Sequence, residues 1–196
     1  AIHWFRQDLR LSDNPALDSA AQYETLIPIY ILDEVNSGEF KMGAASKWWL
    51  HQSLTKLNES LDGKLLVYQG NPHEILNKLI EEQEVSYVTW NRCYEPWRID
   101  RDKEIKRNFE DKNVAVESFS ASLLWEPWTI SKDDGTPYKV FTPFYKKGCL
   151  NSEEPRLPAG KVDLSNLYSE DLSSDSITDL NLLPTIKWYE SFEEEW

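Results

Sequence analysis

Short apolar runs alternate with longer segments of helical period over the first 119 residues. Ile2–Phe5 is apolar until it meets charge at Arg6, and residues 25–32 form a second run rich in β-branched side chains. Residues 64–69, 85–90 and 114–119 repeat the pattern, giving five predicted strands. Between them, Leu50, Leu54, Leu57 and Leu61 recur at spacings of four and three, which puts them on one face of a helix spanning 44–61. Ile75, Leu76, Leu79 and Ile80 mark a second helix and residues 99–111 a third, charged one. Asp13-Asn14-Pro15 and Gly70-Asn71-Pro72 each combine a capping residue with a proline suited to a first turn. Pro28 cannot donate to a ladder, so the second strand is expected at an edge or in an irregular pairing.

Strands joined by helices of this length predict an α/β fold, a Rossmann-like, five-stranded, mostly parallel sheet with helices on both faces. Past Phe119 the rhythm breaks. A turn at 133–137 leads into a dense aromatic stretch, Tyr138 to Tyr145, and residues 151–183 are rich in Ser, Asp, Asn and Pro. The expected division is an α/β domain over 1–130, an aromatic-rich extension over 131–150, and a linker over 151–196 that runs across the surface. Ile186-Lys187-Trp188-Tyr189 and the Glu-rich end through Trp196 read as the start of a further element, as in a fragment of a longer protein.

The 196 residues carry 21 basic and 34 acidic side chains, a net charge of −13. Residues 165–196 hold −7 of it, and 1–150 hold −5. Duplex DNA needs concentrated positive charge on one face, so this chain by itself is not expected to hold DNA. No apolar run approaches the roughly 20 residues of a membrane span, and no signal-peptide pattern opens the chain. Two cysteines, Cys93 and Cys149, make neither a disulfide framework nor a zinc site, so a reducing, cytoplasmic setting is expected, with a monomer and no membrane partner.

Few catalytic signatures are present. Only seven glycines occur, and none builds a dinucleotide fingerprint or a P-loop. His3, His51 and His73 have no metal-ligand spacing, and His3 within a strand reads as a core histidine. Ligands of doubly wound sheets sit outside the carboxyl ends of the strands. Those ends are rich in polar groups: Arg6-Gln7-Asp8, Leu32-Asp33-Glu34 and Asn91 to Glu95. Trp48, Trp49, Trp90 and Trp97 could wall a flat ligand, although Trp48 and Trp90 fit a core role as well. Arg6, Asp8, Glu95 and Arg101 could fix its edge, or pair among themselves as a structural ion cluster.

Four blocks carry a resemblance. His3 through Leu17 (HWFRQDLRLSDNPAL), Gly43 to Leu61 with Gly70-Asn71-Pro72, Tyr94-Glu95-Pro96-Trp97 with Arg101-Asp102, and Leu124–Trp128 with Gly135–Phe144 (GTPYKVFTPF) follow one another at family spacing. Together they resemble the photolyase/cryptochrome family, departing at Gln7, where a second Arg is usual. The resemblance runs from residue 2 to about 150, and Leu182-Leu183-Pro184 with Trp188 is similar to the approach to the next domain. It implies the amino-terminal, antenna-binding α/β domain of a two-domain flavoprotein. Catalytic FAD and contact with UV-damaged DNA would belong to a following helical domain, and this fragment would be inactive alone. The implied activity is blue-light-driven DNA repair, a deoxyribodipyrimidine photolyase (a carbon–carbon lyase) that splits cyclobutane pyrimidine dimers by electron transfer from reduced FAD. A cryptochrome photoreceptor and an unrelated nucleotide-binding module are the alternatives.

The antenna implied is a folate, a deazaflavin or a flavin. Trp97-Arg98 stands where the folate pattern has Asn-Glu. Met42 and Glu95 match the deazaflavin pattern, whereas Ser46 and Cys93 replace its Arg and Asp, with Lys47 adjacent as a substitute. The expected chromophore site is therefore Arg6, Asp8, Leu32, Met42, Ser46, Lys47, Cys93 and Glu95. No catalytic residue and no metal ligand are expected in this chain.

Overall fold

A computed structural model describes residues 1–169 and 172–190. The final residues of the expected terminal element, 191–196, lie outside the described residues. Five strands, β1 (Ile2–Phe5), β2 (Ile27–Leu32), β3 (Leu66–Gln69), β4 (Tyr87–Asn91) and β5 (Ala115–Phe119), form one sheet in the order β3-β2-β1-β4-β5. Every neighbouring pair is parallel. Helices α1 (Pro15–Ala20), α2 (Ala44–Ser60), α3 (Pro72–Glu82) and α4 (Pro96–Glu110) connect them.

Successive strand side chains point to opposite faces, and the core divides accordingly. Ile2, Trp4, Ile29, Ile31, Val88 and Trp90 pack with Leu76 and Leu79 of α3 and Ile105 and Phe109 of α4. Phe5, Tyr30, Leu32 and Val67 pack on the other face with Leu17 of α1 and Leu50, Leu54, Leu57 and Leu61 around α2. Such a sheet needs both faces covered because it has no solvated side.

Two sequence expectations are corrected. β2 is an interior strand despite Pro28. Its ladder with β3 begins only at Ile29, so the missing N–H of Pro28 falls where β3 has not yet started. Helix α4 begins at Pro96 instead of residue 99, because the fixed φ of proline suits the first helical position. The other starts follow their caps: Asn14 accepts from Leu17 N–H at 3.0 Å and Asn71 from His73 N–H at 3.0 Å.

Residues 120–151 contain only short helical turns, at Phe141–Pro143, Phe144–Gly148 and Cys149–Asn151. The segment expected as a surface linker is anchored to the domain. Lys161 bridges Ser12, Leu167 bridges Leu26, and Asp175 bridges Val67 on the open edge of β3. Val162, Leu180 and Leu182 are buried in the α1/α2 face of the core. These apolar residues follow no period, so nothing in the sequence pattern marks their burial. Covering β3 also removes a free strand edge.

Candidate functional site

Beside the carboxyl ends of β1 and β2, a cavity of about 330 Å³ opens between the amino-terminal halves of α2 and α4. Its base is Trp4, Tyr30, Ile31 and Leu32. Met42, Ser46, Trp49 and Leu50 wall one side, and Trp97, Arg98 and Arg101 the other, with Arg6, Gln7 and Asp33 at the strand ends. Position follows from topology: β1 carries neighbours on both sides, so the chain leaves the sheet in opposite directions around it and a crevice is left at the strand ends. The volume lies at the lower end of the roughly 300–1,000 Å³ usual for small-molecule sites.

The cavity floor is set by a network of charges. Arg6 donates to Asp102 at 2.6 Å and from Nε to the Asn91 carbonyl at 3.1 Å. Arg101 donates to Asp102 at 2.8 Å and to Asp33 at 2.8 Å. The two guanidinium groups lie over Trp4, at 5.2 and 4.7 Å from its ring centre, and Arg101 also faces Trp97 at 5.2 Å. Arg6, Arg101 and Asp102 are each buried, so their charges satisfy one another first.

Of the eight residues expected at the site, Arg6, Leu32, Met42 and Ser46 line this cavity. The other four do not. Asp8 is buried beneath it, accepting from the Arg6 backbone at 3.2 Å and from the Asn91 side chain. Its role is to tie β1 to β4 and to the α1 cap. Lys47 lies on the neighbouring face of α2 and pairs with Glu34 at 2.5 Å. Cys93 borders a separate cavity of about 220 Å³ with Trp90, Ile99 and Trp128, and burial pushes its thiol up despite Arg6 and Arg98. Glu95 stands at the N-cap position of α4 without a side-chain capping bond and accepts from Gln7 Nε2 at 2.8 Å. Partial burial opposes its ionisation, but its own N–H, Arg98, Gln7 and Arg6 outweigh burial and hold the carboxyl below its ordinary value.

The lining also includes Trp4, Tyr30, Trp49, Trp97, Arg98 and Arg101. Trp49, Trp97 and Arg101 were visible as wall or edge candidates. Tyr30 and Arg98 carried no sequence signal, because a strand-end tyrosine and a helical arginine are common. Burial raises the Tyr30 hydroxyl well above the ordinary tyrosine range, so it faces the cavity as a neutral group. Trp90 is wholly buried and serves the core, as His3 does. Trp48 packs on Tyr189 at 5.8 Å.

A planar heteroaromatic group fits the residues present. Indole and thioether walls supply apolar surface, and two donors stand without a hydrogen bond. The Trp4 indole N–H makes no hydrogen bond, and Arg98 Nε lies 3.4 Å from Glu95 without hydrogen-bond geometry. Unpaired buried donors are uncommon, and both border this cavity. Among the described residues no cluster of His, Cys, Asp and Glu could hold a metal ion, and no helix is long and apolar enough to cross a membrane.

Comparison with known proteins agrees with the fold. The family model described as DNA photolyase matches residues 1–161. A deoxyribodipyrimidine photo-lyase of Agrobacterium fabrum is 38% identical over 200 residues, covering 100% of this chain and 41% of its own. Cryptochrome-2 of Arabidopsis thaliana is 35% identical over 154 residues, covering 76% of this chain and 25% of its own. The crystal structure of a bacterial class III photolyase from Agrobacterium tumefaciens superposes with a TM-score of 0.89 at 36% identity, covering 100% of this chain and 41% of that one. The chain therefore spans about two fifths of the photolyases it matches.

Proposed function

The chain belongs to the DNA photolyase family, and from that membership we propose that it forms the antenna domain of a light-driven DNA repair enzyme acting on cyclobutane pyrimidine dimers. Its whole length would add a helical domain that holds FAD and meets UV-damaged DNA. When bound, the antenna supplies absorbed light to the flavin, and the reduced flavin supplies the electron that opens the dimer.

The observation that carries this reading is the cavity beside β1 and β2, with indole walls and the Trp4 N–H left without a hydrogen-bond partner. Trp49, Trp97 and Met42 would sandwich a flat ring, and Arg98, Gln7 and the Trp4 N–H would fix its edge. The Arg6–Asp102–Arg101–Asp33 network holds these walls in register, because each charge already has a buried partner. Lys47 and Arg6, candidates for meeting an acidic tail, are instead engaged with Glu34 and Asp102. The net negative charge of the domain supports placing the DNA face elsewhere in the protein.

The cryptochrome likeness supports a second reading, a blue-light sensor on the same fold. Light-dependent dimer repair by the whole protein separates the two. Repair under blue light is expected, and flavin-loaded protein that repairs nothing would favour the sensor. Reconstitution with folate, deazaflavin and flavin in turn tests the cavity: one of them should bind and extend the action spectrum of repair.

A further inference from the structure

Helix α4 lines two separate cavities. Trp97, Arg98 and Arg101 face the ring cavity beside β1 and β2. Ile99, Asp102, Lys103 and Lys106 lie at helical spacing on another face and border a cavity of about 220 Å³ at the carboxyl ends of β4 and β5. The two cavities share no lining residue. Trp90 of β4, wholly buried, lies at the base of the smaller one, and its indole N–H makes no hydrogen bond. Trp128 stands exposed at the rim, with the Arg92 guanidinium 5.8 Å from its ring centre. Arg92 is itself fixed by Glu126 at 2.8 Å and by the Ser118 carbonyl, so this indole rests on an immobilised cation.

The charges around this smaller cavity are spent on one another, except one. Both Asp102 oxygens accept from guanidinium groups, one from Arg6 at 2.6 Å and the other from Arg101 at 2.8 Å. Glu126, just outside, accepts from Arg92 and from the Tyr94 hydroxyl at 3.0 Å. Lys103 is exposed and pairs with Asp100 at 4.0 Å. Lys106 is half-buried, and its ammonium makes no ion pair among the described residues. It donates to the Ser118 hydroxyl at 2.8 Å and lies 5.7 Å from the Trp90 ring centre. An ammonium carries three N–H donors, so two are left. Burial, then Arg92, lower its pKa more than Asp102 and Glu110 raise it, so this cation stands without an anion to match it.

We infer that this cavity binds a small aromatic carboxylate, a single ring lying against Ile99 and Trp128 with its carboxylate on the Lys106 ammonium. The volume, room for about seven waters, suits one ring carrying one acid group. Indole and aliphatic side chains bury the ring, and the partly dry setting strengthens a charge-assisted bond to Lys106. Because the two cavities are separate, the inference does not depend on the antenna reading of the first.

The test uses the whole protein loaded with FAD and two probes of one shape, 4-fluorobenzoate and 4-fluorobenzamide, followed by fluorine NMR line widths. The acid should bind with a dissociation constant of about 0.1–1 mM, within reach of about ten non-hydrogen atoms. The neutral amide should bind about tenfold more weakly, because it cannot pair with the ammonium. Lys106→Gln should abolish that preference, and Lys106→Arg should keep it to within about threefold. Trp128→Ala should weaken both probes about tenfold by removing the ring's wall. Unchanged FAD content and urea midpoint report that each variant is folded. Equal binding of acid and amide to the wild-type protein overturns the inference. A preference that survives Lys106→Gln places the acid elsewhere and overturns it as well, as does full binding to the Trp128→Ala variant. So does an absence of binding up to about 10 mM, tenfold above the expected range.

Discussion

The Arg6 guanidinium sits 2.6 Å from the Asp102 carboxylate, 96 residues away in the chain, and this contact joins the carboxyl end of β1 to α4. The same guanidinium donates to the Asn91 carbonyl at the end of β4. A residue that closes three elements at once is structural before it is anything else. Arg6→Ala should therefore destabilise the protein by about 3 kcal/mol, the lower end of the cost of breaking a buried pair, since Arg101 still holds Asp102 at 2.8 Å. Urea denaturation followed by circular dichroism measures it, and a loss under about 1 kcal/mol would mean that water reaches Asp102 freely.

Within the ring cavity, lining and support should separate by magnitude. Trp97→Ala and Met42→Asp remove apolar wall, or put a charge into it, and each should weaken chromophore binding about tenfold or more. Glu95→Ala should cost only about two- to threefold, since Glu95 acts by holding Gln7 and Arg98. Fluorescence titration of the reconstituted chromophore gives the three constants. Equal losses at all three positions would contradict the placement of Glu95 outside the lining.

His3 gives the domain a pH dependence. Burial lowers its pKa to about 4, with Asp8 opposing and Arg6 reinforcing, whereas an unfolded histidine titrates near 6.5. Between those values the unfolded chain binds a proton that the native state does not, so stability falls as pH drops through this window. The loss approaches about 3 kcal/mol by pH 4. His3→Gln should flatten this part of the curve, read as urea midpoints from pH 4 to 7.5; an unchanged slope would assign the effect to carboxylates.

Both cysteines should be slow to react in the folded protein. Cys93 and Cys149 are buried, and burial raises the Cys93 thiol above its ordinary value. Thiol counting with a chromogenic disulfide at pH 8 should find almost no fast-reacting thiol until denaturant is added. Rapid labelling of Cys93 in native protein would show that its small cavity opens readily.

Gly148 locks the aromatic extension. A methyl group placed there would stand 2.7 Å from Ile130 Cγ2 and 3.1 Å from Tyr138. Gly148→Ala should cost about 1–3 kcal/mol through overpacking, with the loss confined to the extension. Hydrogen exchange should rise over residues 130–150 and stay constant in the sheet.

The sequence by itself determined the elements and their order. Short apolar runs and the 3.6-residue period are written locally, so the five strands, the Leu50–Leu61 face of α2 and the proline-led caps at Asn14 and Asn71 were legible without coordinates. It also pointed to the strand ends, where the candidate cavity lies, because that follows from topology. What the chain order could not decide was which polar side chains point into the cavity and which are consumed by one another. Asp8 pairs with Asn91, Arg6 with Asp102, and Arg101 with Asp33, at separations of 83, 96 and 68 residues. Each choice depends on how crossovers bring distant strand and helix ends together. The burial of Val162, Leu180 and Leu182 was equally hidden, since irregular backbone imposes no spacing on the residues it packs. Periodicity is a property of neighbours along the chain; pairing of charges in a crevice is a property of neighbours in space, and only the folded backbone sets it.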